Sequence, residues 1–226
     1  MDIHKPKPIH GWKDFLKEIG TIVVGVLIAL AAEQTVEWLH WQSELRETRQ
    51  ALRTELAHAV GAYQYNLTLQ DCADRRLAEL SQWLDHAQPG DRPPLAQPIW
   101  SPPRYTLLLG AWDVAKGGQA AWRMPLEERL LYAHLYGTLS RVYDVQQADN
   151  EIWRQLAQFT PAEPLDHADR MRLRGLVAQG RISARIAHSF GPFITPDVTA
   201  LTIAPERRPG MNAEAVQTFC QPLFAR

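Results

Sequence analysis

The sequence predicts an all-α protein: an N-terminal transmembrane helix continuous with a long helix of an antiparallel helical bundle. Three observations lead there. The stretch 15–39, FLKEIGTIVVGVLIALAAEQTVEWL, has an uncharged centre from Ile19 to Ala32 that carries a single hydroxyl. Apolar residues then recur at helical spacing, with no proline between Gly11 and Gln88. The run with strand character, Val198 to Ile203, has no second run to pair with.

In chain order, residues 1–14 read as a cytoplasmic tail, 15–39 as the anchor and 40–226 as a periplasmic helical domain. The fourteen residues from Ile19 to Ala32 cover roughly 21 Å as a helix, short of a bilayer core of about 30 Å. The flanks supply the remainder: Phe15 and Leu16 before, Val36, Trp38 and Leu39 after, with Lys17 snorkelling and Trp38 and Trp41 suited to the interface. Ile19, Val23, Val24, Leu27, Ile28 and Leu30 are the lipid-facing candidates, and Thr21, Gly25 and Ala29 form a small-residue stripe suited to helix packing. A signal peptide cut after Ala31 and a buried core helix also fit the length. Asp2, Asp14 and Glu18 argue against the first, and so does a helical pattern that continues through the cut.

The next helix is marked by Trp38, Trp41, Leu45, Leu52, Leu56, Val60, Tyr63 and Leu67, then Leu69, Ala73, Leu77, Leu80 and Leu84. With the anchor it would make one rod of about 70 residues, roughly 105 Å. Gly61 is its weak point, at about 1 kcal/mol against Ala. Pro89-Gly90 ends it, and the prolines at 89, 93, 94, 98, 102 and 103 make an extended connector. Tyr105 to Lys116 reads as a short helix with Leu107, Leu108, Ala111, Trp112 and Ala115 inward, stopped by Gly117-Gly118. Pro125, at a first helical position, with Glu127 and Glu128 in the first turn, opens a second long helix running to Phe159, which Thr160-Pro161 breaks. Asp166, with Asp169 three residues on, caps a third, which Gly191-Pro192 closes. Residues 195–209 read as irregular, and Asn212 as the cap of a short last helix carrying Phe219 and Cys220.

The net charge of -1 on 226 residues argues against a nucleic-acid partner. Four of the five lysines (Lys5, Lys7, Lys13 and Lys17) precede the anchor, whereas Arg46 and Arg49 are the only basic residues in the eighteen after Ala32, His40 aside. The positive-inside rule then puts the N-terminus in the cytoplasm. An oxidising compartment permits a disulfide between Cys72 and Cys220; two separate buried thiols fit as well.

Candidate chemistry is sparse. Glu33, Glu37, His40, Glu44 and Glu47 share one helix face. Glu37-x-x-His40 and Glu55-x-x-His58 match the Glu-x-x-His pattern of di-iron bundles. Such sites need the motifs on facing helices at one level, and eighteen residues on one helix separate them by about 27 Å. A solvated charged face is the better reading, with no metal and no cofactor. Asp113 precedes a glycine pair but lacks the strand and the Lys-Ser/Thr of a phosphate loop. His134 and His188 read as satisfied core histidines, and Ser189 beside His188 points away from it. Asn66-Leu67-Thr68 is an acceptor sequon only where glycosylation machinery exists. No catalytic residue is assigned.

The run FLKEIGTIVVGVLIALAAEQTVEWLHWQSELRETRQALRTEL, with the later AWDVAKGGQAAWRMPLEERLLYAHLYGTL, resembles a family of uncharacterised bacterial single-pass membrane proteins that carry a helical extracytoplasmic domain. The resemblance brings no activity or catalytic residue. The expectation is a non-enzymatic interaction or scaffold protein, an accessory subunit of an inner-membrane complex. Its partners would be the lipid bilayer and another membrane protein or a second copy, engaged through Trp38, Trp41, Leu45 and Leu52. The alternative is a periplasmic small-ligand sensor or binding bundle acting through a partner, with a pocket near Trp112, Trp122 and Tyr143.

Overall fold

The computed structural model describes residues 11–159, 164–207 and 213–224. The expected tail with Lys5 and Lys7, the break at Thr160-Pro161 and the cap at Asn212 fall outside these residues. The chain is all-α: α1 (Trp12–His86), α2 (Ala111–Gly117), α3 (Gln119–Trp122), α4 (Leu126–Leu156), α5 (His167–Ser189), α6 (Gly191–Ala200) and α7 (Ala213–Phe219). Among the described residues the only β pairing is an isolated bridge between Leu95 and Phe224.

The chain divides into two compact units, Met1–Thr48 and Arg49–Arg226. In the first, α1 is long and apolar enough to cross a membrane, and its apolar window is exposed throughout. Thr21 and Thr35 return their hydroxyls to the carbonyls of Lys17 and Ala31, so neither presents an unsatisfied donor to lipid.

The second unit is built on the remainder of α1. Leu52, Leu56, Leu69, Leu77, Leu80 and Leu84 are buried at the helical spacing the sequence shows. Their main cluster joins Leu69, Ala73 and Leu77 of α1 to Trp153 and Leu156 of α4, Leu173, Leu176 and Val177 of α5, and Phe219 of α7. The direction of α4 follows from its contacts. Arg49 meets Glu128, Leu52 meets Tyr136 and Asn66 meets Gln146, so α4 runs parallel to α1. Helix α5 is antiparallel to α1, with Tyr63 at Ala187, Leu77 at Gly180 and Leu84 at Arg174.

Parallel helices require the intervening chain to travel back the whole way. The proline-rich connector does this. From residue 87 to 110 an extended chain reaches roughly 75–85 Å, and α1 from His86 back to Glu55 rises only about 47 Å. The expected helix over Tyr105–Lys116 forms only from Ala111 onward. Residues 102–110 stay non-helical, α2 starts at Ala111, and Leu107 is buried while Leu108 is exposed. Pro125 serves as the N-cap of α4, one residue ahead of the expected first helical position. The Asp166–Asp169 capping box forms as the sequence predicts.

The stretch after Gly191 differs from expectation. It is helix α6 rather than an irregular segment, and Val198 to Ile203 is no strand: the helix ends at Ala200, and Thr202 turns the chain with φ 54°. Pro192 lies in the first turn, where an N–H has no intrahelical partner. Pro196 costs only one bond further in, and the Thr195 and Thr199 hydroxyls return to the carbonyls of Gly191 and Thr195. Ile194 and Asp197 are buried, giving the helix its inward face, and Leu201 is buried just after it.

Two closures complete the unit. Cys72 and Cys220 are bonded, tying α1 to the chain just after α7 across 148 residues. The segment after Ile203 lies on α1, where the Glu206 N–H donates to the Ala57 carbonyl. At that point a Cβ on Gly61 would sit 2.0 Å from the Glu206 carbonyl oxygen. Gly61 is thus the place where backbone meets helix, not a weakness in it.

Two predictions follow from these closures. Helix propensity alone would have Gly61→Ala stabilise by about 1 kcal/mol. The Glu206 contact reverses the sign, and we expect a stability loss of about 1–3 kcal/mol, read as a lower denaturant midpoint of the full chain. An unchanged or raised midpoint would remove the contact's role. Cys72→Ser with Cys220→Ser should lower stability by about 2–5 kcal/mol, as for a long closed loop, with helix content retained by circular dichroism below the transition.

Candidate functional site

Buried polar side chains of the second unit serve its own backbone first. Asn66 grips Tyr105 from both sides: its Nδ2 donates to the Tyr105 carbonyl at 2.8 Å and its Oδ1 accepts the Tyr105 N–H at 2.9 Å. Gln146 donates to the same carbonyl at 2.9 Å. Being buried in this grip, Asn66 cannot serve as a glycan acceptor. Arg104 forms a buried ion pair with Asp149 and reaches Gln70 at 3.4 Å. Beside this cluster lies a cavity of about 30 Å³, room for about one water, lined by Tyr63, Asn66, Gln70, Gln146 and Ser183. Glu55 accepts the N–H groups of Gly110 at 3.0 Å and Ala111 at 2.9 Å, capping α2 from a distance. Arg49 forks onto Glu128 at 2.8 and 2.6 Å, which raises the Arg49 pKa.

The histidines and acids proposed from sequence are dispersed. Glu55 and His58 lie on one helix, and His58 faces Glu206 at 3.7 Å. His40 lies 4.0 Å from Glu44 on an exposed surface. His134 is not a core histidine: it stands half exposed, and its Nδ1 meets Asp197 at 2.5 Å across the α4–α6 contact. His188 is exposed, and the Ser189 hydroxyl donates to the Ile186 carbonyl. Asp113 pairs with Lys116.

The aromatic residues do not form one pocket. Trp112 stacks on Tyr132 and Tyr136 and lines a recess of about 300 Å³ with Gly137 and Ser140. Tyr143 lines a neighbouring recess with Glu55 and Asp144. Trp122 belongs to neither; it is 71% exposed, with the Arg129 guanidinium 4.7 Å above its ring. Leu126 and Leu130, one helical turn apart and flanking Arg129, are also exposed. Together they make an apolar patch on the second unit that helical spacing alone does not reveal.

The expected interface on α1 changes accordingly. Trp38 is 59% exposed and remains available, and Trp41 is partly buried with its indole N–H on Glu37. Leu45 at 8% and Leu52 at 0% are already covered, so neither presents a free surface. Thr21, Gly25 and Ala29 stand exposed, and nothing lies within 4 Å of a Cβ on Gly25.

Arg76 is the other residue that the sequence reading passed over. It is 1% exposed, and all three guanidinium nitrogens are without a hydrogen-bond partner among the described residues. The group lies 4.4 Å from the centre of the Phe219 ring. Burial lowers its pKa to about 10, with nearby Glu79 opposing. Its signal was visible, since Arg76 falls seven residues after Leu69 and four before Leu80, on the apolar stripe.

No family model, curated protein or solved structure matches this chain. Residue roles therefore rest on its own geometry.

A buried cation with no hydrogen-bond partner among the described residues should be replaceable. We expect Arg76→Met, which keeps the stem and removes the charge, to leave stability equal or raise it by about 1 kcal/mol. Arg76→Ala should cost about 2–4 kcal/mol through the cavity it opens. Denaturant midpoints of both variants decide; equal losses would mean that the charge itself is needed.

Proposed function

We propose that this chain is a membrane-anchored, non-enzymatic interaction protein that engages another membrane protein through its helical domain. The observation that carries the reading is the outward patch of Trp122, Leu126 and Leu130. Aromatic anchors ringed by Arg are the residue types that dominate binding energy at protein interfaces. The α1 span confines the domain to a membrane, so a partner in the same bilayer is met at high effective concentration. The lysine-rich N-terminal segment supports a cytoplasmic N-terminus. The Cys72–Cys220 bond supports an oxidising compartment for the domain, the periplasm of a bacterial inner-membrane protein.

The non-enzymatic part rests on how the polar residues are occupied. Glu55 is committed to two backbone amides, Asp149 to Arg104, and His134 to Asp197. Each has a structural task within the fold.

A photo-crosslinking residue placed at Leu126 or Leu130, in the full chain in its membrane, should yield one discrete adduct. The same residue at the equally exposed Met171 should yield none. An adduct with a second membrane protein supports the reading, and an adduct of twice the chain mass would replace it with self-association. Trp122→Asp with Leu126→Asp should weaken the captured complex roughly 30-fold, about the loss of one interface hot spot. No discrete adduct at either patch position would reject it.

A further inference from the structure

Helices α1 and α5 cross closely at Gly180, where a Cβ would meet Leu77 Cδ1 at 2.9 Å. On the outer side of this crossing the helices enclose an open groove of about 920 Å³. Its walls carry Arg75 from α1 and Arg174, Arg181 and Arg185 from α5, against Asp74 and Asp85. Its floor is aliphatic, made by Ala78, Leu84, Val177 and Ala178, with Ile182 at the rim.

The charges are not spread evenly. Arg174 donates to the Leu84 carbonyl at 2.8 Å and lies 3.8 Å from Asp85, so that end is nearly neutral. The antiparallel register puts Arg75 opposite the Arg181–Arg185 turn, where among the described residues lining the groove Asp74 is the one carboxylate facing three cations. Arg75 turns one nitrogen to the Cys72 sulfur at 3.1 Å, a weak acceptor. Arg181 and Arg185 have no carboxylate at pairing distance among the described residues. They lie one turn apart, about 6 Å along the axis, and Arg174 is two turns from Arg181, about 10 Å. Helix α5 carries five arginines and one acid, Asp169, in its first turn, so nothing on its own face neutralises the pair.

We propose that this groove binds an anionic amphiphile: an oxyanion head held by Arg75, Arg181 and Arg185, and an apolar chain lying on Ala78, Val177 and Leu84 toward the Arg174–Asp85 end. The guanidinium fork matches phosphate and carboxylate geometry, and two unpaired forks one turn apart can clamp a single head. A freely diffusing polyanion would need no aliphatic floor. A neutral lipid would leave the arginines unpaired. The head chemistry is shared by a membrane phospholipid and a soluble alkyl phosphate or fatty acid.

The test is calorimetric titration of decyl phosphate into the full chain in nanodiscs of phosphatidylcholine, with empty nanodiscs as reference. Saturable one-to-one binding is expected, with inorganic phosphate at least tenfold weaker. Arg181→Gln with Arg185→Gln should weaken decyl phosphate binding at least tenfold. Arg92→Gln with Arg141→Gln, the same charge change at exposed positions outside the groove, should alter it less than twofold. Adding phosphatidylglycerol to the nanodiscs separates the sources: competition identifies a membrane lipid as occupant, and unchanged binding a soluble amphiphile. The proposal is overturned by no saturable binding above empty nanodiscs, by equal affinity for inorganic phosphate, or by equal losses in the two double variants.

Discussion

The structure depends on how the connector is held against α1. An extended chain has backbone donors and acceptors that no helix satisfies, and burying them bare would cost about 1–3 kcal/mol each. Asn66 meets both polar groups of Tyr105, Gln146 reinforces one of them, and Glu55 takes the amides of Gly110 and Ala111. These contacts return the chain to the start of the second unit before α4 begins. The parallel course of α1 and α4 is their consequence. Helix α5 then occupies the remaining antiparallel place against both, and Gly180 permits its close approach to Leu77.

Once this frame exists, the last part of the chain acts as a clasp. Phe219 enters the main cluster beside Trp153, the Leu223 N–H donates to Glu79, and Ala96 donates to the Leu223 carbonyl. The connector is thus held from two sides, by α1 through side chains and by the C-terminal segment through its backbone. The cation of Arg76 lies under this clasp against Phe219, buried with no hydrogen-bond partner among the described residues. Its alkyl stem fills space in a place where the sequence pattern asks for Leu.

Much of the helical architecture was legible because it follows local rules. The stripe from Leu52 to Leu84 shows α1, and Asp166 with Asp169 shows the start of α5. What failed to show were features fixed by distant partners. Leu107 and Leu108 look like a helical pair, but Asn66 and Glu55 hold that segment extended. Pro192 and Pro196 look like breakers, yet one sits where no donor is needed and the other is tolerated because α6 packs on α4. The cysteine pair could not be joined from spacing, because proximity of residues 148 apart is a tertiary fact. At the candidate sites, the sequence offered Leu52 to a partner because an apolar stripe does not say which side the rest of its unit will cover. Trp122 and Arg181 carried no signal of exposure or pairing that spacing alone could reveal.

The disulfide also imposes a timetable on biogenesis. A chain synthesised from its N-terminus presents Cys72 well ahead of Cys220, and the sequence holds only two cysteines. At about 5–20 residues per second, the first thiol waits roughly 7–30 s for the second. During that interval it has no intramolecular rival, so no wrong isomer within one chain exists for a reshuffling enzyme to correct. Its hazard is pairing between two nascent chains, and the protection is speed: the earlier α1 is covered by α4 and α5, the sooner the waiting sulfur is out of a neighbour's reach.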